Sequence, residues 1–269
     1  MSTRRALLVL ALVAIAAPAV AEERATVGEA ARELRICVDP DNPPLSLNKV
    51  GAQPGYDVEI AQAIAERLDL RPRLIWVDTT YGGRALRRSL LAGQCELFMG
   101  LPADPAAETA GALTLTAPYY STGYRLIGAQ DRSSAGATDL AKDRIGVERQ
   151  SGAHMRLEQI GSHLVVYGNQ REVLDAVARG EVDVGAVWLP DVDRLLQGRP
   201  VAMHALTDAA PNQPLRWNIA IGVRRADADL RDSVSRAVGD LLAEGRIKAI
   251  FDRYAVPFFP PFAGSKSAS

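Results

Sequence analysis

The sequence predicts an α/β chain of two similar lobes, each a mainly parallel sheet flanked by helices, linked by two crossover segments. Three observations carry this expectation. Apolar strand-like runs alternate with stretches of helical periodicity, and strands joined through helices pair in parallel because a parallel partner needs a long crossover. "SLLAGQCELFMGLP" (89–102) and "AVARGEVDVGAVWLP" (176–190) share one design: a helix end at a glycine, an acid three residues on, an apolar strand and a Leu-Pro exit. Finally, "YYSTGYRLIGA" (119–129) and "RWNIAIGV" (216–223) bracket the second copy, so the chain enters lobe two once and returns.

Each element follows from local pattern. "LRICVD" (34–39) reads as a buried strand, and "DPDNPP" after it as a turn with two prolines. In "DVEIAQAIAERLDL" (57–70), Val58, Ala61, Ile64, Ala65 and Leu68 share one helical face, with Asp57 expected as N-cap and Glu59 on the solvated side. "RLIWV" (73–77) is a strand, "GRALRRSLLAG" (83–93) a helix stopping at Gly93, and "CELFMG" (95–100) a strand. Lobe two holds the strand "RIGVE" (144–148), a helix over 151–160, the strand "HLVVYG" (163–168), a helix over 171–179 and the strand "DVGAVW". Two helices, "DADLRDSVSRAVGDLLAEG" and "RIKAIFDRYA", return to complete lobe one. The expected division is therefore 33–126 plus 220–262 for lobe one and 127–219 for lobe two, with a disordered tail at 263–269.

Residues 1–21 read as a cleaved secretory signal peptide: Arg4 and Arg5, an apolar run from Ala6 to Ala17, then Ala19-Val20-Ala21 as a small-x-small cleavage site. The run is too short for a membrane span, and no cysteine follows it to anchor a lipid. The chain has 31 Lys and Arg against 32 Asp and Glu. Two of the arginines lie in the leader, so the exported form is mildly acidic, which argues against nucleic-acid or anionic-membrane partners. In an oxidising compartment the two cysteines, Cys37 and Cys95, are expected to form one disulfide. His154, His163 and His204 show no ligand spacing, so no metal and no cofactor is expected.

Trp188 ends an apolar run, where an indole is either packing or the floor of a cleft. Aligning Gly93 with Gly180 puts Cys95 on Val182, Glu96 on Asp183 and Leu101 on Trp188. Ligands of open α/β sheets bind beyond the carboxyl ends of the strands, so Leu101 and Trp188 are expected to face each other across a cleft. Leu45, Tyr81, Pro102 and Leu189 are expected beside them. Ser151 reads as a helix N-cap whose helix start, with Arg149 beside it, is also a candidate for holding an anion. No catalytic residues are assigned. Asp39, Asp41, Asp57 and Glu59 cluster in sequence without forming an acid-base pair, and Asp39, Asp41 and Asn42 lack the glycine and distal glutamate of an EF-hand.

The order "LRICVDPDNPPLSL", "GYDVEIAQAIAERL", "LLAGQCELFMG", "TAPYYSTGYRLIGA", "DVGAVW" and "IAIGVRRADADLRDSVSRAVGDLLAEGRIKAIFDRY" resembles the family-3 periplasmic solute-binding proteins over nearly the whole exported chain. The resemblance implies the two-lobed periplasmic-binding-protein fold, closing on a small molecule, most often a polar amino acid passed to an ABC permease. Receptors of that kind carry an arginine after the third strand of lobe one and an aspartate at the end of the lobe-two strand. Here 101–120 contains no arginine, and Trp188 takes the aspartate's place. Where an aromatic residue is common, this chain has Leu45. These departures remove the charged clamps that make a zwitterion worth desolvating.

They resemble a narrower branch, the J-type accessory proteins of periplasmic methanol oxidation. The matching features are Cys37 in "RICVDP", Cys95 in "LLAGQCELFMG", Trp188 and "WNIAIGVRRAD", although this chain reads "PPLSLN" where that branch carries a phenylalanine. That resemblance implies a non-enzymatic accessory or maturation factor for a quinoprotein methanol or alcohol dehydrogenase. It also places Cys37 and Cys95 on adjacent parallel strands, within reach of one disulfide. The other readings are an ABC-importer receptor for a small uncharged or weakly polar solute and, on the same scaffold, a periplasmic lyase or dehydratase.

Overall fold

The computed structural model describes residues 32–79, 82–103, 112–128, 142–197, 204–205 and 215–262. The expected leader and tail lie outside them. The described residues begin with β1 (Glu33–Val38), a short hairpin of β2 (Asp41–Asn42) and β3 (Ser46–Leu47), helix α1 (Tyr56–Arg67) and β4 (Arg71–Trp76). Helix α2 (Gly83–Arg88), β5 (Leu97–Pro102) and β6 (Leu113–Leu115) follow, and β7 (Tyr120–Gly128) crosses over. The second lobe runs β8 (Arg144–Glu148), α3 (Gly152–Gln159), β9 (His163–Tyr167), α4 (Gln170–Ala178) and β10 (Val184–Trp188). A 3₁₀ turn (Leu189–Asp191), α5 (Val192–Leu196) and β11 (His204–Ala205) come next. β12 (Arg216–Arg224) returns to α6 (Ala228–Ala243) and α7 (Arg246–Arg253).

The strands run in the order β4-β1-β5-β12-β7-β10-β8-β9, with β6 on β12 and β11 on β7. In one half β1 is parallel to β4 and β5, and β12 closes the group antiparallel to β5. In the other, β8 is parallel to β9 and β10, and β7 closes it antiparallel to β10. The halves join where β7 and β12 pair with each other, from Arg216 opposite Gly123 to Ile219 opposite Tyr120. This curled α/β sheet is the two-lobed architecture expected from the sequence.

The internal repeat extends to individual hydrogen bonds. In lobe one the Glu96 N–H donates to the Arg35 carbonyl (2.8 Å), the Arg35 N–H donates to Glu96 Oε2 (3.0 Å), and the Arg35 guanidinium donates to the Gly93 carbonyl (2.8 Å). In lobe two Asp183 N–H donates to Arg144 O (2.9 Å), Arg144 N–H donates to Asp183 Oδ2 (2.8 Å), and the Arg144 guanidinium donates to Gly180 O (3.2 Å). An acid at that position closes the strand ladder through its side chain, so β5 and β10 each begin one residue after it.

Apolar alternation sorts the core. Leu34, Ile36, Val38, Leu97 and Met99 face a cluster built with Val58, Ile64, Val234, Val238, Leu241 and Phe251 of α1, α6 and α7. Cys37 and Phe98, one residue out of phase, face the opposite cluster with Ala85, Leu90 and Leu113. Lobe two has the smaller core of Ile145, Val147, Leu157, Val184 and Ala186. Among the described residues no helix is long and apolar enough to cross a membrane.

Three local expectations are corrected. The N-cap of α1 is Gly55, not Asp57. Gly55 sits at φ 101°, and a methyl group there would lie 2.2 Å from the Leu45 carbonyl oxygen, so only glycine lets the hairpin cross the helix start. Asp57 falls inside the first turn and is buried. Glu59 is not a free solvated acid, because the Tyr254 hydroxyl donates to it at 2.6 Å and Arg253 pairs with it. Helix α2 ends at Arg88 rather than running to Gly93: Ser89 leaves helical geometry, its hydroxyl bonds back to the Ala85 carbonyl (2.7 Å), and the chain continues in turns.

Candidate functional site

At the carboxyl ends of β1 and β5 the first lobe opens into a cavity of about 340 Å³. Asp39, Leu45, Asp57, Thr79, Leu86 and Leu101 are among its walls. Asp39 is fixed from two sides: Oδ2 accepts from the Thr79 N–H (2.8 Å) and hydroxyl (2.5 Å), and Oδ1 accepts from the Asp41 N–H (2.8 Å). Asp57 is almost inaccessible, and the Tyr119 hydroxyl donates to its Oδ1 at 2.9 Å while accepting from the Gly100 N–H at 3.1 Å. Burial pushes the Asp57 carboxyl up to about 7, partly opposed by the Tyr119 bond. The same burial, with Asp57 as neighbour, raises Tyr119 well above the usual phenol range.

A β-bulge decides how Leu101 reaches this cavity. From Ala220 to Gly222 β12 takes two steps while β5 takes three, from Leu101 back to Phe98. Gly100 takes φ 79° within the bulge. The extra residue reverses the alternation, so Leu101 packs with the Cys37–Cys95 cluster instead of continuing the face of Leu97 and Met99.

β10 has no such interruption. Its register runs regularly from Val184 opposite Gly128 to Trp188 opposite Tyr124. Trp188 therefore stays in phase with Val184 and Ala186 and meets Tyr124 (ring centroids 5.2 Å) and Trp217 (6.0 Å). Tyr124 and Trp217 are themselves 6.0 Å apart, so the three rings make one aromatic group at the crossover strands. The Tyr124 hydroxyl accepts from the Gly152 N–H at the start of α3 (3.2 Å), and burial raises its pKa above the usual phenol value. Ser151 caps α3, its hydroxyl oxygen accepting from the His154 N–H (3.1 Å). The Trp188 N–H donates to Gln170 Oε1 at 2.9 Å. Gln170 also bonds Glu148, which desolvation holds above the ordinary carboxylate value, with Asp191 adding to the shift.

The residues expected at the site thus divide. Leu45 and Leu101 share the lobe-one cavity; Trp188 belongs to the aromatic group with Ser151 close by through Gly152. Pro102 is exposed at the end of β5, Arg149 is exposed after β8, and Leu189 is buried at the start of the 3₁₀ turn. Tyr81 lies outside the described residues. Asp39 is a buttressed cavity wall and Asp57, expected as a helix cap, is a buried one, whereas Tyr124, Trp217 and Gln170 are contributors that sequence pattern did not single out. Cys37 and Cys95 are joined, with Cα atoms 5.7 Å apart and both side chains fully buried. In lobe two the equivalent positions hold Gly146 and Val182, which pack without a bond. Among the described residues no group of three or more His, Cys, Asp or Glu is placed to hold a metal ion.

The model of the bacterial extracellular solute-binding proteins, family 3, matches residues 34–257. The chain belongs to that family. Protein MoxJ of Paracoccus denitrificans is 24% identical over 282 residues, covering 93% of this chain and 95% of the relative. An L-arginine-binding protein of Pseudomonas aeruginosa is 26% identical over 238 residues, covering 83% and 88%. The crystal structure of MxaJ from Methlophaga aminisulfidivorans MPT superposes with a TM-score of 0.58 at 19% identity, covering 84% of this chain and all of that one. MoxJ and the L-arginine-binding protein are thus similar to this chain at comparable identity, and the fold is that of the family-3 solute-binding proteins.

Proposed function

We propose that this protein is a non-enzymatic periplasmic accessory or maturation factor for a quinoprotein methanol or alcohol dehydrogenase. One observation carries the reading: where an amino-acid receptor of this family presents an aspartate to the ligand ammonium, this chain presents Trp188 in tilted contact with Tyr124 and Trp217. The segment after β5 supplies no arginine either, so a free amino acid entering the cleft lacks the bidentate carboxylate partner that this segment supplies in such receptors. An aromatic group with polar edges suits a protein side chain or an apolar solute. The similarity to MoxJ over nearly the full length supports the same reading. The division at 126/127 and 219/220, export through a cleaved leader and a dehydrogenase partner belong to this proposal.

A second reading is an ABC-importer receptor for a small uncharged or weakly polar solute. The lobe-one cavity favours it, being within the size range of small-molecule sites and carrying hydrogen-bonding groups on Asp39 and Thr79. The test is a pair of measurements on Trp188→Ala: a thermal melt, and capture of a purified quinoprotein alcohol dehydrogenase on immobilised protein. An unchanged melt with lost capture supports the accessory role. No capture by the parent protein, together with micromolar binding of a solute by calorimetry, supports the importer reading instead.

A further inference from the structure

Beyond α7 the chain does not simply end. Residues 257–262, "PFFPPF", run back across the two crossover strands. Three prolines hold this stretch extended and remove its N–H donors, so what it offers a neighbour is mainly carbonyl oxygens. The crossover strands supply matching donors. Ser121 of β7 and Asn218 of β12 stand directly opposite each other, and both are nearly buried. The Ser121 N–H donates to the Phe259 carbonyl (2.8 Å) and its hydroxyl to the Pro260 carbonyl (3.0 Å). The Asn218 amide donates to the Phe262 carbonyl (2.7 Å) and its Oδ1 accepts from the Phe262 N–H (3.1 Å).

Arg216, two residues before Asn218 and so on the same side of the strand, completes the contact. Its guanidinium lies over the Phe259 ring (5.0 Å) and the Phe262 ring (5.5 Å) and donates to the Ser121 hydroxyl (2.5 Å). Its place depends on Gly123 opposite, where a methyl group would meet the Arg216 backbone and the Leu215 carbonyl oxygen, 2.1 Å away. The other end of the segment is anchored in lobe one, because Phe258 packs on Phe251 of α7 (5.3 Å).

We propose that residues 257–262 are a strap that clamps the β7–β12 crossover pair and fixes the angle between the lobes, so that the molecule works as one rigid body rather than as a closing trap. β7 and β12 are the strands through which the two halves of the sheet are continuous, and any rotation of one half against the other has to twist the four pairs between Arg216–Gly123 and Ile219–Tyr120. The strap ties both members of that ladder at its centre and is itself fastened to lobe one. It does not depend on what occupies the cleft.

The test measures the distance between spin labels on Gln62→Cys in α1 and Glu158→Cys in α3, both exposed, in the full chain with its disulfide left oxidised. The expected result is a single narrow distance distribution for the strapped protein. Phe259→Ala combined with Phe262→Ala, and separately a chain ending at Val256, should broaden it at least twofold while circular dichroism stays native. If the shortened chain fails to fold, the double alanine variant, which changes only half-buried side chains, decides alone. A broad distribution in the strapped protein, or equally narrow ones in the folded variants, overturns the proposal.

Discussion

Removing the Cys37–Cys95 bond by replacing both cysteines with alanine isolates a contribution whose size follows from the chain. The cysteines are 58 residues apart, and closing a loop of that length stabilises by about 4 kcal/mol in the chain-entropy model. The loop spans α1, β4 and α2, so the constraint acts on lobe one alone. Both side chains are fully buried against Ala85, Leu90 and Phe98, and the alanine pair also loses sulfur contacts, so the entropic figure is a lower bound. For a protein of this length, about 4 kcal/mol corresponds to a fall in melting temperature of roughly 8–16 °C. Urea titrations followed by tryptophan fluorescence, and calorimetric melts, measure it directly. A double variant within about 1 kcal/mol of the parent would refute the chain-entropy argument for this bond, and two alkylatable thiols in unreduced parent protein would refute the bond itself.

Asp57 gives a pH prediction. Its carboxyl is lifted from 3.8 to about 7 in the fold, so the native state favours the neutral form. Stability is full below the unfolded value and declines as pH rises to about 7, by about 4 kcal/mol in total. Asp57→Asn should flatten that part of the urea-midpoint profile and exceed the parent's stability at pH 8; a stability difference between the two that is the same at pH 4.5 and pH 8 disproves it. Gly55→Ala places a methyl group against the Leu45 carbonyl at a positive φ and should cost about 3 kcal/mol or more, read as a lower urea midpoint. Tyr124→Phe keeps the ring in the aromatic group but leaves the Gly152 N–H unanswered, and should cost about 1 kcal/mol with little change in tryptophan fluorescence.

Period and repetition made the layer structure readable in advance. The apolar alternation of β1 and the face formed by Val58, Ala61, Ile64 and Ala65 on α1 are local signals, and they place those residues in the core as expected. The glycine-to-acid spacing that aligned Gly93 with Gly180 proved to be a hydrogen-bonded unit in each lobe, because Glu96 and Asp183 both bind back to an arginine backbone on the neighbouring strand. What local pattern could not give were features set by distant partners. The bulge at Gly100 exists only against β12, and it sends Leu101 to a different face from Trp188 although the two align in sequence. Tyr124 and Trp217 join Trp188 only through the antiparallel registers of β7 with β10 and β12. The burial of Asp57 likewise depends on Gly55 taking over the cap and on Tyr119 arriving from the residue just before the crossover strand β7. Local pattern pointed to a helix cap at Asp57 and a solvated acid at Glu59, whereas tertiary contact made the first a buried wall and the second a partner of Tyr254.

The path of the chain through the sheet also sets an order of assembly. β8, β9 and β10 with α3 and α4 are consecutive in sequence and mutual neighbours in space, so lobe two can gather as soon as residues 144–188 are available. Lobe one cannot. Its strand β5 waits for β12, and Leu34, Ile36 and Ile64 wait for Val234, Val238, Leu241 and Phe251 near the end of the chain. In a polypeptide that emerges amino terminus first, the half begun earliest is finished last, its apolar sheet face and the open side of β5 uncovered while the inserted lobe folds. Lesions in β12, α6 or α7 should therefore damage the amino-terminal half, leaving the middle of the chain folded.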